Sequence, residues 1–114
     1  MKLLIDINEE IIREYSDKDS YKSGRENYLS NKVKQIDIEI KKREDYKETK
    51  IISNVESTNF IQYKVDISFN NINPFISYQC QCNGCYSYYG EISMCKHVVA
   101  TLLKYFYEKD EIIK

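Results

Sequence analysis

Only three glycines, Gly24, Gly84 and Gly90, occur in the 114 residues, and none opens a G-x-x-x-x-G-K-[ST] loop. A phosphate-cradling ATPase is therefore excluded from this chain. No apolar run exceeds a few residues, so no segment is long enough to span a bilayer as a helix. Lys2-Leu3-Leu4-Ile5-Asp6 is too short and too quickly acidic for a signal peptide, and a cytoplasmic location follows as the default. Tryptophan is absent, and eleven tyrosines carry much of the aromatic mass instead, as rings that pack by body and reach a polar partner by tip. A basic excess is also missing. The net charge is −1, whereas a free-standing nucleic-acid binder usually has a clear surplus of cations. The charge is uneven, with five basic and seven acidic groups in residues 1–31 against seven and five in residues 32–50. Any phosphate contact must be local. The run Lys41-Lys42-Arg43 is read as a solvated turn, because Glu44-Asp45 follows it at once.

What remains fits one compact domain of ordinary globular composition, 42% hydrophobic and 31% charged. Ile7, Ile11, Ile12 and Tyr15 have helical spacing, which predicts a short helix over 7–15. Asp17-Lys18-Asp19-Ser20 breaks it. Ser20 is the expected N-cap of a second helix over about 20–30, and Asn31 its left-handed end. The period then changes to two. Ile36, Ile38 and Ile40 mark a first strand; Ile51, Ile52 and Val55 a second over about 48–56; Ile61, Tyr63, Val65, Ile67 and Phe69 a third. Asn70 to Pro74 is a loop by composition, and Phe75 to Cys80 a fourth strand. From Lys96 to Lys109 the helical period returns, with Val98, Val99, Leu102, Leu103, Tyr105 and Phe106 as a broad apolar face. The expectation is an α+β fold: short N-terminal helices, an antiparallel β-meander of three to four strands covered on one side, a zinc-binding loop and a C-terminal helix, ββα-like at its end. Residues 1–74 form its helix-plus-sheet part and 75–109 its metal-binding part within a single domain 1–114.

All four cysteines and the only histidine fall within residues 80–97, as Cys80-Gln81-Cys82, Cys85 and Cys95-Lys96-His97. Three thiolates and an imidazole are a structural zinc set, closed to a small-molecule substrate. Strand rise separates residues i and i+2 by about 6.5–7 Å, so Cys80 and Cys82 must sit where the strand bends, with Asn83-Gly84 supplying the turn. In a helix, i and i+2 lie about 200° apart, so Cys95 must precede the helix while His97 occupies its first turn. A thiolate there gains from the positive helix end. Metal-free core cysteines are disfavoured by the polar, Tyr- and Asn-containing surroundings. Cys82-Asn83-Gly84-Cys85 matches C-x-x-C but lacks the βαβ context of a redox motif, and no third group orients a Cys–His nucleophile. Cys85 leaves an ambiguity: Cys82, Cys85, Cys95 and His97 are also a stereochemically possible set.

Cys80-x-Cys82, a twelve-residue spacer and Cys95-x-His97, followed by the apolar Val98 to Leu103, resembles the SWIM-type zinc finger. Tyr21 to Tyr28 with Gly24, then Val33 and its strand, then Val55 to Ile67, is similar to the N-terminal region of bacterial SWI/SNF-type helicases that carry this finger. The resemblance covers roughly residues 20–106. It implies Cys80, Cys82, Cys95 and His97 as ligands of one structural zinc ion, with Cys85 as a possible substitute. It implies binding to DNA or to protein beside an ATPase core in cis or in trans, and an N-terminal piece of a longer polypeptide is the expected context. This chain itself is expected not to be an enzyme or to meet a membrane. Two surfaces suit recognition. Tyr86, Tyr88 and Tyr89 suit base stacking, and Lys96 and Lys104 suit phosphate contact. The alternative is a stand-alone protein-interaction module in which those tyrosines cover the metal and those lysines are solvated.

Overall fold

A computed structural model describes residues 7–57, 61–71, 76–82 and 94–112. Helix α1 (Glu9–Glu14) starts at Asn8, whose side chain accepts the Ile11 N–H at 2.9 Å. It is shorter than the 7–15 expected, because that cap places Ile7 outside the helix, where it is still buried in the core. Helix α2 (Lys18–Leu29) is capped by Asp17 and not by Ser20. The Asp17 carboxylate accepts the Ser20 N–H at 2.8 Å and the Ser20 hydroxyl at 3.1 Å, so Ser20 is the capped residue. The far end follows the sequence reading. Asn31 has φ 59°, Lys32 N–H donates to Asn27 O at 2.9 Å, and Asn31 N–H to Tyr28 O at 3.1 Å. That is the Schellman arrangement, with Asn taking the left-handed position.

Four strands follow: β1 (Val33–Lys42), β2 (Lys47–Glu56), β3 (Gln62–Asn70) and β4 (Ile76–Cys80). They pair antiparallel in the order β1-β2-β3-β4, the meander expected from short connections. The register stacks side chains in rows across the covered face. One row is Ile38, Ile51, Ile67 and Tyr78; the next is Ile36, Ser53, Val65 and Cys80. Cys80 is thus delivered to the covered face by the same alternation that delivers Val65. Ile52, one of the three apolar residues that mark β2 in the sequence, lies in the opposite row with Asp37, Asp66 and Gln79, because a period of two cannot put Ile51 and Ile52 on one side. Ile61 precedes β3 and is 51% exposed. Thr49 and Ser53 take buried places that the sequence reading left to apolar residues.

Helix α3 (Lys96–Ile112) crosses the covered face and buries Val98, Val99, Leu102, Leu103 and Tyr105, while Phe106 is half-buried. The buried Thr101 hydroxyl is satisfied on both sides. Thr101 donates to the His97 carbonyl at 2.9 Å, which leaves its oxygen to accept from Ser53 at 2.7 Å. Helix α2 approaches α3 closely at Gly24. A Cβ there would stand 2.5 Å from Val99 Cβ and 2.8 Å from the Lys96 carbonyl. Glycine is required at this crossing for space, not for its own backbone angles. Ile12, Met94, Cys80 and the inner residues of the sheet share one core with α3. No helix among the described residues is long and apolar enough to cross a membrane.

Candidate metal centre

The centre lies where β4 ends and α3 begins. At the strand side, Gln81 N–H still donates to Lys64 O at 3.1 Å, continuing the ladder by one residue. The return bond is different. Lys64 N–H donates to the Gln81 side-chain oxygen at 2.9 Å. A side chain thus takes the place of the backbone carbonyl that a straight strand would offer. The backbone is free to bend at Gln81 and Cys82, and Cys82 turns back beside Cys80. The bend falls where the Cys80–Cys82 spacing requires it. Asn83-Gly84, expected to supply the turn, lies outside the described residues, and the part taken by Gln81 is one that sequence reasoning misses.

On the helix side, Cys95 immediately precedes α3, and its carbonyl accepts the Val99 N–H at 3.0 Å. His97 lies in the first turn and is buried. Both placements match the expectation from helical geometry. Met94 anchors this junction: its N–H donates to Tyr15 O at 2.8 Å, its side chain is fully buried, and it bridges to Ser16. The Tyr63 ring lies against the imidazole with centroids 5.0 Å apart and so helps to fix its plane. The sequence marks Tyr63 only as a strand residue, because nothing in a period of two tells which inward ring meets a distant helix.

The donor atoms converge. Cys80 Sγ lies 3.6 Å from His97 Nδ1, Cys95 Sγ lies 3.8 Å from the same nitrogen, and Cys82 Sγ lies 3.6 Å from Cys95 Sγ. One donor atom from each of the four residues falls within 4.8 Å of every other. Neighbouring ligand atoms around a tetrahedral zinc are roughly 3.5–4 Å apart, so the three short edges fit without adjustment. The remaining edges need to contract by at most about 1 Å to close the tetrahedron. These residues fit a single metal ion. Nδ1 faces the sulfurs, while Nε2 is buried with no hydrogen-bond partner among the described residues. The three described thiols are free of disulfides.

Electrostatics point the same way. Hydrogen bonding with Cys95 and burial push the Cys80 thiol well above its ordinary range, so without a cation this sulfur keeps its proton. A dication would invert that preference and hold the sulfurs as thiolates. The first turn of α3 adds its positive end beside Cys95. Cys85, Tyr86, Tyr88 and Tyr89 lie outside the described residues. Lys96 is exposed on the first turn of α3. Lys104, two turns further along, is half-buried and bonds Glu108 at 3.3 Å, so the two lysines do not form one cationic patch. No protein-family model matches the chain, and neither a curated protein nor a solved structure matches it.

Proposed function

We propose that this chain is a recognition module of the SWIM type, folded around one structural zinc ion and acting beside a SWI/SNF-type ATPase in the same polypeptide or in a partner. The observation that carries the reading is the convergence of Cys80, Cys82, Cys95 and His97 within 4.8 Å of one another, three of the donor–donor distances already at tetrahedral length, in C-x-C and C-x-H pairs from the two sides of the β4–α3 junction. Three sulfurs and one imidazole select zinc over hard cations, which take oxygen ligands. Four protein ligands leave no open position, so the ion supports structure and the chain is not an enzyme. What the ion supports is the junction of β4 with α3, and recognition then falls to the surfaces around that junction.

Between the two classes of partner, the described surface favours protein. The net charge is −1, and Lys104 is engaged by Glu108. DNA remains the competing partner because Lys96 is exposed beside the centre. Two measurements test the reading. Elemental analysis of the purified chain is expected to give one zinc per molecule, with a fall in melting temperature on chelation; an unchanged melt without metal would sink the structural-zinc claim. Binding to duplex DNA across a salt series separates the partners. Affinity that falls steeply with salt supports DNA, whereas its absence, together with capture of an ATPase core, supports protein.

A further inference from the structure

The three described thiols differ in access. Cys82 and Cys95 are partly exposed and line an open cleft of about 440 Å³ together with Asp19, Ser20, Ser23 and Lys96. Cys80 is 6% exposed and does not line it. A small molecule arriving through the cleft meets the first two sulfurs and not the third. Those two sulfurs are also 3.6 Å apart, and closing them to a disulfide requires each to move by less than about 1 Å.

We propose that Cys82 and Cys95 form an oxidation site, a pair that a hydroperoxide converts to a disulfide with release of the metal ion. The release rests on the zinc reading above; the choice of pair rests on distance and access alone. The chemistry balances without further reactants. The first thiolate attacks a peroxide oxygen, the O–O bond breaks, and the departing oxygen takes a proton from water, leaving a sulfenic acid. The second thiolate attacks that sulfur, the S–S bond forms, the S–O bond breaks, and hydroxide leaves, so that each of the two steps delivers one hydroxide ion to the solvent. The two sulfurs together lose two electrons and the peroxide gains two. Two of the four ligands are then gone, and Cys80 with His97 cannot complete a tetrahedral site.

The new bond joins residue 82, two positions past β4, to residue 95 just before α3, and so spans the junction the metal joined. Oxidation therefore exchanges one tether for another. The sheet and α3 stay together while the geometry at the junction changes. This distinguishes the oxidised chain from the chelated, reduced chain, which has no tether at all.

The test uses the full chain, first assayed for zinc content and then titrated with hydrogen peroxide. Metal release is followed with a zinc-binding dye, free thiols are alkylated, and peptides are mapped by mass spectrometry without reduction. The expected result is one Cys82–Cys95 linkage for each zinc released, with Cys80 and Cys85 alkylated. The oxidised, metal-free chain should melt above the reduced, chelated one, and thiol reductant with zinc should restore the starting form. A linkage through Cys80 or Cys85, thiols that stay reduced, or sulfinic acids in place of the disulfide overturn the proposal even when zinc is present. A chain that binds no zinc defeats the structural-zinc reading at the first step, and the peptide map still decides the pair.

Discussion

The β1–β3 part of the sheet and the β4–α3 junction solve the same problem by different means. The first three strands are nine or ten residues long, and each pair runs nearly its full length in register. Adjacent hairpins of this kind need nothing but their own ladder and an apolar face. Strand β4 has five residues and pairs only with β3. Its chain must then leave the sheet and reach a helix on another layer. Backbone bonds run out at that point, and the structure replaces them with a side-chain bond from Gln81 and with four converging metal donors. Dense pairing makes a metal unnecessary; a bend between layers makes it useful.

Removing the metal is the largest way to break this contrast. The helix it anchors buries Val98, Val99, Leu102 and Leu103, and each such side chain contributes roughly 1.5–3 kcal/mol when fully buried. His97→Ala or chelation is therefore expected to cost several kcal/mol, at the upper end of single-site effects. Denaturant melts with and without zinc measure the total. Amide exchange locates it: protection should vanish first in β4 and the start of α3 and last in the β1–β2 hairpin. Uniform loss across the sheet would erase the proposed difference between the two regions.

The next effect is at Gly24, which sets how closely α2 can hold the start of α3. Gly24→Ala places a methyl group 2.5 Å from Val99 Cβ, and overpacking of this kind costs about 1–3 kcal/mol. The crowding is with one side chain and with the Lys96 carbonyl, so pairing the change with Val99→Ala should recover part of the loss beyond additivity. Additive effects in the double variant would show that the carbonyl, not Val99, sets the limit. Because Lys96 and His97 lie on the same turn, zinc affinity should also fall in Gly24→Ala and partly return in the double variant.

Gly24 marks the boundary of what the sequence discloses. Its neighbours on α2 announce a helix, but nothing local says that Val99 will arrive from 75 positions away. The same holds for Tyr63 against His97 and for the Ser53–Thr101 pair, which were legible only as a strand tyrosine, a strand serine and a helix threonine. What was legible is what short-range geometry dictates. Period-two alternation fixed β3, helical angles forced Cys95 before α3 and His97 inside it, and Asn31 announced a left-handed end. Ile52 marks β2 as apolar, but only alternation tells that it faces away from Ile51 and Val55. Ser20 is a good capping residue by type, but Asp17 stands three positions before it and its carboxylate takes the Ser20 N–H, so the helix begins before Ser20.

Gln81→Ala tests the bend itself. It removes the side-chain oxygen that takes the Lys64 N–H, a hydrogen bond worth about 0.5–1.5 kcal/mol. The expected stability loss is of that size, and zinc should bind more weakly because Cys82 loses its positioned turn. Gln81→Glu keeps an acceptor and should restore most of the stability. If Gln81→Ala changed stability with zinc affinity untouched, the side chain would merely support the sheet edge.

The smallest effect is at Asp17, far in character from the metal. Its carboxylate is held below the usual range by hydrogen bonds from the Ser20 N–H and then the Ser20 hydroxyl. A depressed folded-state pKa means that the charged cap stabilises above the unfolded carboxylate value of about 3.9 and that this contribution is lost as pH falls through the lower folded value. Asp17→Ala is therefore expected to lower the melting temperature slightly at neutral pH, with the difference from the parent chain shrinking only below about pH 4. Asp17→Asn keeps an acceptor for Ser20 N–H without the charge, so it should show a smaller deficit and no such acid dependence. The metal centre titrates differently, since protons compete with zinc for every ligand. Measuring the Asp17→Ala difference in chelated protein removes that competition. A difference still tracking zinc loss, and absent after chelation, would mean that the start of α2 belongs energetically to the metal-held junction rather than to a locally capped helix.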